Sequence, residues 1–221
     1  MNQEPKQQLV DTALLLGDLG YVPECVSVIK QSLEQYDSDP WIIAMAVHAY
    51  RSVHQYDEAI ALAQQYERQH GESIGMNASA QETKQMAQEW ETQRQKFQRY
   101  RQLTFSYGLA FWKKTTRFQF IDDNLEVQAN GKSMHFPLGK LQVRLEHSIL
   151  AIDYIESSLT LTSGADEWVY AYRNDVTPMD LLLAELSKHA PIENRVYWKI
   201  DQKDSNHAKL AHALAQYITI N

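Results

Sequence analysis

The period of the apolar residues changes once along this chain, near residue 104, and that change limits the architecture more than any other feature. Upstream, apolar side chains recur every three or four positions, as along one side of a helix. Downstream, they alternate with polar ones, as on a half-buried strand. The two periods are mutually exclusive, because a strand turns its side chains to opposite faces every residue and a helix does not. The pattern predicts an α+β chain with a helical part over 1–103 and a β-rich part over 104–221. With 221 residues, 44% of them hydrophobic, each part has the material for a core.

In the first part the breaks are as informative as the stripes. A helix is expected from Gln7 to Leu19, ended by Gly20, and a second to Tyr36 with Pro23 in its first turn. Asp39 reads as a cap and Pro40 as the opening position of a third helix, Trp41 to Val53, with Ile43, Ala46, Val47 and Tyr50 on its apolar side. A fourth runs from Asp57 to about Gln69 and is closed by Gly71. Ser79 and Glu82 have the spacing of a capping box. They open a long helix reaching towards Leu103, along which Met86, Trp90, Gln93, Phe97 and Tyr100 make one stripe. That stripe is expected to pack on the preceding helices, with a dimerising coiled coil as the alternative.

Gly20-Tyr21 and Gln55-Tyr56 mark the same kind of turn, 35 residues apart, each between two helices. A period in the mid-thirties with paired helices is the signature of a helical repeat array. The segment HAYRSVHQYDEAIALAQQYERQ resembles a tetratricopeptide repeat through Tyr50, Tyr56, Ala59, Ile60 and Tyr66, and the resemblance extends over residues 5–70. It departs from the family at Ala46-Val47. The resemblance implies that the first helix of each pair lines a concave groove. Trp41, His48, Arg51 and Ser52 are then the expected protein-binding residues.

In the second part, Leu103, Phe105, Tyr107, Leu109 and Phe111 alternate, then Phe118 and Phe120, then Leu125 and Val127. Asn130-Gly131 is a two-residue hairpin signal, answered across it by Met134, Phe136 and Leu138. Further runs are expected at Leu141–Leu145, Leu150–Ile155 and Leu159–Leu161, with Glu146-His147-Ser148 and Ser163–Asp166 as turns. Trp168, Tyr170 and Tyr172 close the series. Thr177-Pro178 then opens a helix that buries Leu181, Leu182 and Leu186. Seven short strands and a closing helix over residues 117–187 resemble the pleckstrin-homology-like superfold, including its bacterial members. The resemblance implies a small antiparallel β-barrel capped by the helix. A strand at Val196–Ile200 and a helix at about Asn206–Ile218 are additions to that pattern.

Chemical signatures are sparse. There is no glycine-rich phosphate loop, no G-x-S-x-G and no H-E-x-x-H. His207 and His212 are five apart and diverge on a helix. Asp122-Asp123-Asn124 lacks the spacing of a calcium loop, and Asp153 and Glu156 read as strand-end acids. No catalytic, metal or cofactor-binding residue is expected, and no cofactor. The single cysteine, Cys25, sits on an apolar stripe and reads as a buried thiol in a reducing compartment. No apolar run approaches a transmembrane length and the N-terminus has no signal pattern, so a cytoplasmic location is expected. The net charge of −7 resides almost wholly in residues 1–100 and argues against nucleic acid as a partner.

The expected function is a non-catalytic, protein-binding adaptor whose partner is another protein or peptide segment, and the bacterial resemblance implies an immunity or assembly factor. One alternative is a lipid-headgroup module through Lys113, Lys114 and Arg117, opposed by Asp122 and Asp123 in the adjoining turn. The other is an enzyme of an unrecognised class. Oligomeric state is left open.

Overall fold

The computed structural model describes residues 4–75, 77–107, 114–173, 179–200 and 205–221. Leu109, Phe111, Lys113, Thr177 and Pro178 lie outside them. Five helices come first: α1 (Glu4–Asp18), α2 (Val22–Gln35), α3 (Pro40–Ser52), α4 (Tyr56–His70) and α5 (Ala80–Tyr100). Seven strands follow: β1 (Gln102–Tyr107), β2 (Lys114–Ile121), β3 (Asn124–Ala129), β4 (Lys132–Pro137), β5 (Gln142–Ala151), β6 (Tyr154–Ser163) and β7 (Asp166–Arg173). After them come α6 (Met179–Leu186), β8 (Ile192–Trp198) and α7 (Ser205–Leu214). The chain is α+β. It divides into one compact unit of residues 1–91 and 200–219 and another of residues 92–199 and 220–221. The division thus falls inside α5 rather than at 103/104. The last helix belongs with the first unit, where α7 lies on α1 and Gln8 Nε2 donates to the Lys209 carbonyl at 3.1 Å.

In the first unit, α1 and α2 form one hairpin and α3 and α4 another. Asp39 caps α3 as its sequence position requires, accepting from the Trp41 and Ile42 amides at 3.0 and 3.4 Å, with Pro40 in the first turn. Lys6 of α1 pairs with the same carboxylate. The Ser79–Glu82 capping box forms, the Glu82 amide donating to Ser79 Oγ at 3.2 Å and the Ser79 amide to Glu82 Oε2 at 3.3 Å. Helix α3 is the central element, packed on α1, α2 and α4, so that Ile42, Ile43, Ala44, Ala46, Val47 and Ala49 are buried around most of its circumference. A helix apolar on all sides is a core helix rather than a surface one.

Beyond its first turn α5 is largely exposed between residues 84 and 96. The expected stripe is not a buried seam, since Met86 is 40% and Tyr100 56% exposed, and only Phe97 among its members is buried. The helix also stops at Tyr100, and Leu103 already belongs to β1.

In the second unit the strands make two four-stranded sheets, in the orders β1-β2-β3-β4 and β7-β6-β5-β8, here called sheets A and B. Among the described residues they do not close into the expected barrel. Sheet B is mixed, because β8 returns parallel to β5 after the α6 crossover while the other pairs are antiparallel. Asn130 and Gly131 both take positive φ, 51° and 75°, as the two-residue β3–β4 turn needs. The expected turn at Glu146-His147-Ser148 is absent, because β5 runs straight through it to Ala151. Three expected runs between Leu141 and Leu161 are therefore two long strands. The sheets meet through Phe105, Phe118 and Tyr170, whose ring centroids lie 5.5–5.7 Å apart. Leu181, Leu182 and Leu186 of α6 are buried as their spacing indicates.

Helices α1 and α3 meet closely at Gly17. A Cβ there would lie 2.5 Å from Ser52 Oγ and 3.4 Å from Cys25 Sγ. Gly17→Ala is expected to lower stability by about 1–3 kcal/mol in urea unfolding, and Ser52→Ala in the same chain to restore part of that loss. A Gly17→Ala protein as stable as the parent would contradict this contact.

Candidate functional site

Among the described residues, three of the places that bring polar side chains together are candidate sites, and they differ chiefly in access to water. The first is the α3 surface named by the sequence. Arg51 is 6% exposed, and its guanidinium is used inside the first unit. Nε donates to Thr83 Oγ1 at 3.0 Å, Nη2 to the same hydroxyl at 2.5 Å and to the Ser79 carbonyl at 3.2 Å, and Nη1 to the Asn77 carbonyl. Ser52 donates to the Ala49 carbonyl at 2.9 Å and faces Gly17. Trp41 and His48 are half-buried. Met45, which shares their side, lines a small internal space with Val10, Ala13 and Ile29. Arg51 is therefore corrected from a groove residue to an internal anchor, because α3 is covered on more sides than a single stripe indicates. Cys25 is fully buried, and burial pushes its thiol up to about 12.

The second place is a polar row across the inner face of sheet B. The register puts His147 of β5 opposite Ser157 of β6, and Ser157 opposite Tyr172 of β7. His147 Nδ1 and Ser157 Oγ are 2.7 Å apart, and Ser157 also hydrogen-bonds Tyr172. His147 Nε2 is buried without a partner. Burial holds the His147 imidazole down to about 4 and pushes the Tyr172 phenol up, aided by Asp180. A neutral imidazole on a serine hydroxyl is the arrangement of a base and its nucleophile. With His147 2% and Ser157 3% exposed, however, the pair is closed to a substrate in this state.

The third place is the outer face of sheet A, where the strands turn their polar alternates to solvent. Thr104, Arg117, Gln128 and Ser133 stand opposite one another on β1, β2, β3 and β4 in a single row. With Thr115 and Lys132 they line an open groove of about 430 Å³, closed at one end by the Asn130-Gly131 turn. Arg117 Nη2 donates to Gln128 Oε1, and Gln128 Nε2 to Glu126 Oε1 at 2.5 Å. Ser133 donates to the same Glu126 oxygen at 2.8 Å. The hydrogen bonds from Ser133 and Gln128 hold the Glu126 carboxyl below the usual range, so it is ionised at neutral pH. Arg117 Nε is buried and has no partner.

Sequence reading named Arg117 only as part of a basic cluster. Lys113 lies outside the described residues, Lys114 opens β2, and Asp122 and Asp123 are exposed at the β2–β3 turn. The signal for the row was present all the same. Two-residue turns at Asp122-Asp123 and Asn130-Gly131 fix which polar residues of β2, β3 and β4 face each other.

Among the described residues no group of three or more His, Cys, Asp or Glu side chains is placed to hold a metal ion, and no helix is long and apolar enough to cross a membrane. In comparison with known proteins, the chain matches no family model, no curated protein and no solved structure.

Two outcomes follow from the buried groups. Removing the Arg51 guanidinium takes the donor from the Asn77 carbonyl and one partner each from Ser79 and Thr83, which remain bonded to one another, so Arg51→Ala is expected to cost about 1–3 kcal/mol by chemical denaturation. His147 takes up its proton near 6.5 when unfolded and near 4 when folded. Over that window the unfolded chain holds the extra proton, so stability is complete above pH 6.5 and falls as pH drops towards 4. The loss from this group is about 2 kcal/mol between pH 6.5 and pH 5. His147→Gln should flatten that slope, as measured by urea unfolding at each pH.

Proposed function

We propose that this chain is a non-catalytic adaptor that docks another protein or peptide segment on the exposed face of sheet A. The observation that carries this reading is the groove over the Thr104–Arg117–Gln128–Ser133 row, a solvent-facing grid of hydrogen-bonding side chains held in register by three strand pairs. Its lining residues include neither a histidine nor a carboxylate to act as a base, and the His147–Ser157 pair is buried on the inner face of sheet B. Binding is favoured over catalysis on both counts.

Two further parts of the reading rest on arrangement. The helix pairs α1–α2 and α3–α4, with turns of the same geometry at Gly20-Tyr21 and, one residue earlier than the sequence spacing indicates, at His54-Gln55, support a tetratricopeptide-like scaffold in the first unit. The run of seven strands and then α6 supports a pleckstrin-homology-like origin for the second. An immunity or assembly factor in a bacterial cytoplasm is a setting that suits such an adaptor.

Site-specific photo-crosslinking tests the surface. A photoreactive residue at Thr104 is expected to trap one discrete protein species in cells, and the same residue at exposed Val169 on sheet B is expected not to. Equal adducts at both positions, or none at Thr104, would count against docking on sheet A.

A further inference from the structure

We propose that the sheet A groove takes the carboxylate groups of an acidic segment of its partner, with Arg117 as the fixed cation that receives them. The inference rests on the reading of this face as the docking surface and adds the chemistry of the occupant. Four observations support it.

The groove is cationic on an acidic protein. Its charged lining residues are Arg117 and Lys132, with no carboxylate among them, whereas the whole chain carries −7. A local cationic patch selects a partner of opposite sign at that spot. Second, Arg117 is held in place before any ligand arrives. Its Nη2 is bound to Gln128, Gln128 to Glu126, and Glu126 to Ser133, a chain that crosses β2, β3 and β4. A guanidinium fixed in this way loses little side-chain freedom on binding, which is the main entropic penalty of an arginine contact.

Third, the neighbouring acid, whose negative charge is felt at Arg117, stands outside the groove. Glu126 is not among the groove-lining residues, and one of its oxygens already accepts from Gln128 and Ser133. Fourth, the remaining polar lining residues carry hydroxyls and amides, those of Thr104, Thr115, Ser133, Gln128 and Asn130, beside Ala129 and Gly131. Such groups hydrogen-bond a peptide backbone and its carboxylates without requiring an apolar anchor. The open shape of the groove suits a segment laid along the sheet better than an enclosed small molecule. A planar carboxylate meets two guanidinium N–H groups at once, which a single ammonium does not offer.

The full chain, labelled for amide NMR, is titrated with short peptides of alternating Glu and Ser, Gln and Ser, and Lys and Ser, and separately with inorganic phosphate. The Glu-Ser peptide is expected to shift the amides of Thr104, Arg117 and Ala129–Lys132, to bind more weakly as salt rises, and to outbind the Gln-Ser peptide by about tenfold. Arg117→Gln should abolish that preference. Lys132→Glu, at an exposed strand end where folding is not at stake, should weaken the acidic peptide and strengthen the Lys-Ser one.

Equal binding of the Glu-Ser and Gln-Ser peptides at these amides would overturn the acidic class and leave the docking surface standing. So would an unaltered preference in both variants. Inorganic phosphate that shifts the same amides and displaces the acidic peptide would make this a small-anion site instead. Failure of every peptide to perturb the groove, with the Thr104 crosslink still formed, overturns the acidic segment alone; loss of the crosslink as well overturns the surface.

Discussion

The second unit depends on one residue, Arg101, where the helical chain becomes β. Its backbone takes positive φ, 53°, and its amide closes α5 by donating to the Phe97 carbonyl at 2.7 Å. Its carbonyl then accepts from the Phe120 amide at 2.9 Å, so a single residue ends the helix and aligns the chain with β2. The guanidinium lies over the rings of Phe97 and Phe120 and pairs with Glu185 Oε1 at 2.7 Å. Glu185 is nearly buried and is matched by Lys188 as well, and these partners outweigh the effect of burial and keep its carboxyl below the usual range. A buried carboxylate without them would be costly. The ion pair, two aromatic rings and an unusual backbone conformation therefore fix the end of α5, the start of sheet A and the end of α6 together.

Much of this architecture can be read from single residues whose conformation has few alternatives. Asn130-Gly131, Asp39-Pro40 and the Ser79–Glu82 box each state a local geometry and each adopts it. Errors arose where a polar residue serves the interior. Glu146-His147-Ser148 reads as a turn because three polar residues interrupt an apolar run, yet only His147 faces inward, on the same alternation as Val143, Leu145 and Ile149, and there it meets Ser157. The β-bulge between Ile149 and Ala151 hides that partnership. Counting back from the turn at Ile152-Asp153 would place His147 opposite Ser158, on the wrong face, until the bulge shifts the register by one. Arg51 was misplaced for a related reason: helical periodicity finds one covered side, and α3 is covered on several.

The two polar rows of the second unit show how the pleat assigns different fates to similar chemistry. His147–Ser157–Tyr172 and Thr104–Arg117–Gln128–Ser133 are both built by neighbouring strands presenting polar alternates at matched register. In sheet B the row falls on the covered face, where the imidazole stays neutral and the hydroxyl is spent on its neighbours. In sheet A the row faces water, where a charge can be kept at little desolvation cost and still reach a ligand. Burial, rather than residue type, separates a closed hydrogen-bond row from one open to solvent.

Exposure alone would leave the outer row a set of ordinary cross-strand pairs, of the kind worth a fraction of a kcal/mol each (about 0.2–1 kcal/mol). It shares with the inner row, where His147 Nε2 is unpaired, an incomplete accounting of polar atoms. The Arg117–Gln128–Glu126–Ser133 chain satisfies each member in turn except at its head, where Arg117 Nε is buried without an acceptor. A buried donor left unpaired costs about 1–3 kcal/mol, and on a surface arginine the usual remedy is rotation into water. The bond to Gln128 works against that rotation. The chain of bonds from Arg117 through Gln128 and Glu126 to Ser133 therefore orients the guanidinium across three strands.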